Sequence, residues 1–261
     1  MTSLRIFFVG GLTSYRALFG WLTPWIFIPT LLVVPVFQIL LFAYIGRAAN
    51  LESDGFYVIG NSLQSAALPC VFAMGHTISG ERYQQTLGFI LTTPAPRLPL
   101  FLGRALPVVA NGVFVSAFGF ACGVLLLDFD PPLSSLAPLL LVIVVTAVSC
   151  TGLGLLNGAV GLRIRDTSIL SNVILGLLLI FCGVNVPLDE LPGWISTTAQ
   201  GLPLTHGIEA AREVAGGASL ASVRGLVAME LAVGAAYLVA GLLLLRYFEE
   251  QSRRQATLER T

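Results

Sequence analysis

The stretch Gly80–Arg97, with the sequence GERYQQTLGFILTTPAPR, separates two long apolar runs. Glu81 falls in the first turn of a helix here, where a carboxylate suits the helix dipole. Pro94 and Pro96 disfavour helix in the residues before them and end it. The apolar side chains recur at the spacing of one amphipathic face: Tyr83, Leu87, Ile90 and Leu91. We therefore expect a short amphipathic helix in 80–97, either resting on lipid headgroups or docked into a protein partner.

Six apolar blocks, two of which flank this stretch, dominate the rest of the chain. A bilayer-spanning helix needs about 20 apolar residues. The chain has 11% charged residues, whereas an ordinary soluble domain has about 25%. The predicted fold class is all-α, a polytopic integral membrane protein with six transmembrane helices in one transmembrane domain, 1–261. The blocks are Trp21–Ile45, Phe56–Ser79, Leu98–Leu127, Leu136–Val160, Thr167–Pro187 and Leu226–Phe248.

The placement of the arginines orients the chain. Six spans put both termini on one side, and cytoplasmic segments carry an excess of basic residues. The other side has only Arg47, Arg212 and Arg224. We expect both termini in the cytoplasm and the chain in the inner membrane. The arginines on the side of the termini are Arg5, Arg16, Arg82, Arg97, Arg104, Arg163, Arg165, Arg246, Arg253, Arg254 and Arg260.

Four further segments lie outside the blocks. Residues 1–20 lack the layout of a cleaved signal peptide and are expected to stay attached, with a cytoplasmic interfacial helix as one candidate structure. Residues 161–166 form a short basic cytoplasmic connection. Residues 188–225 are too interrupted to span, so we expect short external re-entrant helices there, since only helical or protein-buried backbone is tolerated at depth. Residues 249–261 form a cytoplasmic tail.

The sequence offers no catalytic or metal site of its own. It contains no lysine, and a phosphate-cradling P-loop requires one. The two histidines, His76 and His206, fall on opposite sides of the membrane, which excludes a paired histidine metal site within one chain. No nucleophile–base pair is found. We therefore predict that the chain alone is not an enzyme and holds no cofactor.

Glu230 is the acidic residue inside a predicted span. It lies about one turn into the sixth block, and an intramembrane carboxylate is a functional candidate by default. A position so near the external end also allows it to reach headgroups or to pair with a neighbouring group. The sequence leaves a proton or substrate role open beside these alternatives.

Several motifs taken together resemble a known family. They are Gly80-Glu81-Arg82, Thr86-Leu87, Leu91-Thr92-Thr93-Pro94, Arg97, Gly103-Arg104, Leu162 to Asp166, Gly183 to Pro187, Leu191-Pro192, and Pro203 to His206 through Glu209 to Arg212. In order and spacing they resemble the type-2 ABC exporter permeases of the drug-resistance and polysaccharide-export group. The resemblance implies a six-span permease subunit that dimerises with a second copy or a related permease. Two separate ABC-type ATP-binding subunits would bind ATP and Mg.

The resemblance also assigns roles to residues. It implies that 80–97 is a coupling helix seated on the ATPase, with 161–166 as a lesser contact. The residues that would face the ATPase are Glu81, Arg82, Gln85, Thr86 and Thr93, joined by Arg163, Arg165 and Asp166. It further implies a substrate path lined by the second and fifth spans at the dimer axis.

Polar stripes along those two spans give independent support for a path. Either the stripes line it, or their groups hydrogen-bond neighbouring helices. In the second span they are Asn61, Gln64, Ser65, Phe72 and His76; in the fifth, Ser168, Ser171, Asn172 and Cys182.

An apolar path with scattered amides and hydroxyls favours an amphipathic drug, antibiotic or lipid-like substrate in contact with the lipid bilayer. Export of a polysaccharide or glycolipid is the alternative within the family. From another class, a secondary transporter driven by ion gradients would need several buried charges or broken helices in inverted repeats. No nucleic-acid partner is expected.

Overall fold

The computed structural model describes residues 24–83, 97–161, 163–164 and 167–255, and all regular structure in those ranges is helical. The predicted all-α class is therefore confirmed. One turn, α1 (Pro24–Phe27), and a π-helical stretch (Ile28–Val33) lead into α2 (Val34–Ala49). There follow α3 (Asp54–Tyr83), α4 (Arg97–Leu127), a 3-10 turn (Leu133–Ser135), α5 (Leu136–Gly161), α6 (Thr167–Phe181), α7 (Gly193–Ala199), α8 (Thr205–Ala215) and α9 (Arg224–Gln255).

Five of the described helical stretches are long and apolar enough to cross a membrane: Ile28–Ala49, Asp54–His76, Gly103–Leu127, Leu133–Gly161 and Arg224–Phe248. They correspond to five of the six predicted blocks, and they make the chain a multi-pass membrane protein.

The fifth predicted block, Thr167–Pro187, is helical only as far as Phe181. The 15 residues of α6 rise about 22 Å, at about 1.5 Å each, which is less than the roughly 30 Å of a hydrocarbon core. Gly183 has a φ of +72°, the left-handed conformation in which glycine commonly ends a helix. The sixth span therefore stays a prediction.

The connections lie at two ends of the bundle. At one end, which we call the acidic end, lie the connections 50–53, 128–132 and 182–223. Phe129 packs at Gly55, and Arg212 donates to the carbonyl of Phe56, which brings the three connections together. At the opposite, basic end, the guanidinium of Arg163 lies 5.2 Å from the ring centroid of Phe248.

Helix α5 is the centre of the bundle. It packs against α3, α4, α6, α8 and α9, and most of its residues are buried. Small residues let the backbones approach: a Cβ at Gly152 would lie 2.5 Å from the carbonyl oxygen of Gly234 in α9. A Cβ at Gly154 would overlap the carbonyl of Cys70 in α3. The contacts seen at these glycines thus lie within one protomer.

The outer helices present large apolar side chains to the surroundings. Phe37 and Leu41 of α2 and Val239 and Leu243 of α9 are exposed. Such a surface suits hydrocarbon, where the helical backbone satisfies its own polar groups.

Candidate functional site

The two helices that carry the predicted polar stripes, α3 and α6, lie side by side. The Nε2 of Gln64 donates to the carbonyl of Leu175 at 3.1 Å. Further toward the basic end, the Oγ of Ser168 lies 3.4 Å from the Nε2 of His76. Helices α3 and α6 therefore contact each other at two levels, and both stripes can be placed along this α3–α6 face.

Asn61 lies inside the protomer. It is fully buried, and its oxygen accepts from the Nε2 of Gln38 at 3.0 Å. Its amide nitrogen donates to the carbonyl of Tyr57 at 2.9 Å and to the Oδ1 of Asn185 at 2.8 Å. Ser65, also buried, donates to the carbonyl of Asn61 at 2.7 Å. These contacts tie α2, α3 and the segment after α6 together.

Other stripe residues lie on the outer surface of the α3–α6 face. His76 and Asn172 are exposed, and Ser168 is half-buried. The rings of Phe72 and His76 stack with their centroids 6.2 Å apart and their planes 24° apart. Asn172 donates to the carbonyl of Ser168 at 3.0 Å. The structure thus divides the predicted path residues into an internal group and an exposed group.

Two residues of the fifth-span stripe take part in contacts away from that surface. Ser171 is buried and accepts from the Nδ2 of Asn157 in α5 at 2.7 Å. The Sγ of Cys182 lies 3.6 Å from the carbonyl oxygen of Pro203. Asn157 was not predicted, although an amide inside an apolar run was a signal available in the sequence.

Most predicted ATPase contacts lie outside the described residues. Arg163 is exposed at the basic end. Residues 80–83 form the last turn of α3, so the first residues of the predicted coupling helix continue the span. The coupling helix itself stays a prediction. Not described are the side chains of Glu81 and Arg82 and the whole of Gln85, Thr86, Thr93, Arg165 and Asp166.

The model of one family, described as ABC-2 type transporter, matches residues 15–215. The chain belongs to the ABC-2 type transporter family. The match covers α3, α6 and the connection between α3 and α4, which carry the predicted functions, so the predicted family is confirmed. Permeases of this family normally pair with an ABC ATP-binding subunit. A comparison with curated proteins finds no matching relative.

At the acidic end, Glu230 of this ABC-2 permease is bonded to the start of α8. Its side chain is fully buried. One carboxylate oxygen accepts from the backbone N–H of Leu204 at 2.8 Å and the other from that of Gly207 at 3.1 Å. The Oγ of Ser149 donates to its backbone carbonyl at 3.1 Å. Pairing with a neighbour, one of the alternatives left open by the sequence, is the arrangement found.

A second charged side chain, Arg212, is partly buried in the last turn of α8. The Nη2 of Arg212 in α8 donates to the carbonyls of Gly183 at 2.8 Å and Val184 at 3.2 Å. Its guanidinium lies 3.5 Å from the ring centroid of Phe56, a cation–π contact. Burial lowers the pKa of Arg212 to about 10, so the group is still a cation at neutral pH. The sequence assigned Arg212 no role beyond its place in a motif.

Helix α8 packs into the protein. Its first residues, Thr205–Ile208, are buried, and it contacts α3, α5 and α9. The expectation of short helices in 188–225 holds for α7 and α8 as helices, but α8 lies against other helices of the permease.

Proposed function

We propose that the chain is the membrane subunit of an exporter that moves an amphipathic drug, antibiotic or lipid-like molecule out across the inner membrane. The energy comes from ATP hydrolysed by a separate subunit. The observation that carries the proposal is the exposure of polar groups on the α3–α6 face of an ABC-2 permease.

The exposed polar groups indicate that the α3–α6 face contacts something other than the hydrocarbon of the lipid. His76 and Asn172 lie beside the exposed apolar side chains of Ile169 and Val173. Polar groups within spans usually face a bundle interior or a cavity. A second permease copy facing α3 and α6 would enclose them and form a path at the dimer axis.

The chemistry of the face fits an amphiphile. Its wall is largely apolar, and its polar groups are an imidazole, amides and a hydroxyl. The Oε1 of Gln64 is buried beside α6 and has no hydrogen-bond partner among the described residues. Polysaccharide paths are richer in aromatic residues, whereas Phe72 is the single aromatic residue of the predicted stripes.

We infer the energy source from two facts: the chain lacks the lysine of a P-loop, and permeases of its family pair with ATP-binding subunits. We place the docking site at the basic end, on the coupling helix within 80–97 and on Arg163, with both termini in the cytoplasm. ATP and Mg would be bound in the partner, whose movement would open and close the path.

A carrier driven by an ion gradient is the rival. Such a carrier needs charged groups at mid-span that can exchange ions. Among the described residues of the five membrane-length stretches, Glu230 is the one buried charged side chain, and both of its oxygens are bonded to backbone N–H groups. This arrangement favours the ATP-driven exporter.

Affinity capture of the chain from its native membranes in mild detergent, with mass spectrometry of the bound proteins, tests the proposal. We expect a stoichiometric subunit with a P-loop. A second permease in the same sample would identify a heteromer. If this chain is the one permease captured, the proposed dimer consists of two identical chains. Failure to find an ATPase, even after crosslinking, would contradict the proposal and favour the gradient-driven carrier.

A further inference from the structure

Helix α8 does not cap its own N-terminus. Its N-cap residue, Leu204, has a φ of +89° and provides no side-chain hydrogen bond to the helix. The first N–H groups of a helix have no partner within it, and a buried N–H without a partner is costly. Glu230, from α9, supplies the acceptors for two of these groups. The start of α8 is therefore held by a helix that follows it in the chain.

The other end of α8 is held by Arg212, in its last turn. Its donations to Gly183 and Val184 reach the segment 182–187, and its ring contact reaches α3. A charged donor that gives several hydrogen bonds in a buried place contributes more than a neutral one. The two anchors thus lie in the first and last turns of an 11-residue helix. Arg212 is five residues from Gly207 and eight from Leu204, which is about 8–12 Å along the helix axis.

The segment 182–187 sits directly on α3. A Cβ at Gly60 would overlap the carbonyl oxygen of Val184, so the two backbones are in close contact. Asn185 accepts from Asn61 at 2.8 Å. The contact between segment 182–187 and α3 lies at the acidic end of the α3–α6 face, where the proposed path would open.

We propose that α8 is a rigid strut, with Glu230 and Arg212 as its positioning residues, which sets the position of segment 182–187 on α3 according to the position of α9. A movement of α9 is then carried through α8 to the acidic end of the path. The link to transport rests on the proposed function, whereas the strut itself does not require an ATPase or a substrate.

Cys182 is a native reporter of the strut. It is buried, its Sγ faces the carbonyl of Pro203, and it precedes the glycine that Arg212 holds. Trypsin, which cuts after arginine and lysine, gives fragment 166–212, whose one cysteine is Cys182, and fragment 48–82, whose one cysteine is Cys70. The same two fragments form when residue 212 is lysine. The labelling rate of each thiol by N-ethylmaleimide in the full-length chain in nanodiscs can therefore be followed separately by mass spectrometry.

Glu230→Gln replaces one acceptor oxygen with an NH2 group that faces an N–H. Arg212→Lys cannot donate from a planar fork to two carbonyls and stack on Phe56. We expect each variant to raise the labelling rate of Cys182 about tenfold, because a lost charge-assisted hydrogen bond shifts the local opening equilibrium. The matched control Glu213→Gln, an exposed carboxylate on the same helix, should leave the rate unchanged.

The double variant decides between a strut and two separate contacts. If α8 acts as one body, releasing either end releases the segment, and the double variant labels no faster than the single ones. Rates that multiply would show independent contacts and overturn the proposal. Unchanged Cys182 labelling in either variant, or an equal rise at Cys70 that reports loosening of the whole bundle, would overturn it as well.

Discussion

Asn61 and Asn172 are the same residue type in two different surroundings. The Asn61 carboxamide is buried and makes three hydrogen bonds that join α2, α3 and segment 182–187. The Asn172 carboxamide is exposed and donates within its own helix. The first arrangement stabilises the fold, whereas the second leaves a polar group available on the proposed path.

The same substitution at the two positions should therefore have different effects. Asn61→Leu should lower the free energy of unfolding by about 2 kcal/mol, since each hydrogen bond within a membrane contributes about 0.6 kcal/mol. Asn172→Leu should change it by less than about 0.5 kcal/mol and should alter substrate-stimulated ATP hydrolysis in the complex. Unfolding by SDS titration in bicelles, with ATPase assays of the captured complex, measures both. Equal destabilisation by the two variants would contradict the division of the path residues.

For individual residues, the sequence could predict the polar stripes of the second and fifth spans. It could not predict the hydrogen-bond partners of Glu230 and Arg212. Helical spacing identifies a face, and the amides on it were found that way. Glu230 is 26 and 23 residues from its two donors, Leu204 and Gly207, so no local pattern links them. Arg212 likewise reaches a carbonyl 29 residues earlier.

At the scale of the elements, α5 owes its central place to small residues. Gly154 lets α5 approach the backbone of α3 at Cys70, and Gly152 lets it approach α9. Gly176 of α6 differs, because no atom outside its own stretch of chain lies within 4 Å of a Cβ built there. Small residues in an apolar run allow close helix contacts, but which helices they join depends on the tertiary arrangement.

Gly154→Ala should destabilise the permease by about 1–3 kcal/mol, the usual cost of an extra group in a packed core. Gly176→Ala should be neutral or stabilising by up to about 1 kcal/mol, because alanine is the better helix former. Thermal unfolding of the two variants in the same detergent gives the comparison. A Gly154→Ala protein as stable as the unchanged chain would show that α3 and α5 are not packed this closely.

The apolar runs were sufficient to predict five spans, because bilayer thickness fixes the length of a helix that crosses it. They were not sufficient for α6, where Gly183 ends the helix early, or for α8. The sequence of α8 is interrupted and polar in part, which indicated an external helix. Its burial depends on an acceptor from α9 and on carbonyls after α6, which lie far from it in the chain.

For the whole molecule, charge separates the two ends of the bundle. The acidic end holds Asp54, Asp128 and Asp130, whereas the basic end holds Arg163 and Arg246. Because cytoplasmic loops are enriched in basic residues, the basic end is expected to face the cytoplasm and the ATPase. Helix α3, which carries residues of the proposed path, runs to this end and reaches Tyr83. A push on the connection between α3 and α4 would therefore act directly on a helix that lines the proposed path.

The variant Glu81→Arg tests whether the ATPase docks on the connection between α3 and α4. Reversal of a charge in a protein interface opposes docking, because like charges are brought together. We expect the partner subunit to keep its basal ATP hydrolysis while substrate stimulation and transport in proteoliposomes fall about tenfold or more. The control is Glu250→Arg, the same reversal at an exposed position in the last turns of α9, which should leave transport intact. Full coupling in Glu81→Arg, with normal insertion of both variants, would place the ATPase contact elsewhere on the basic end.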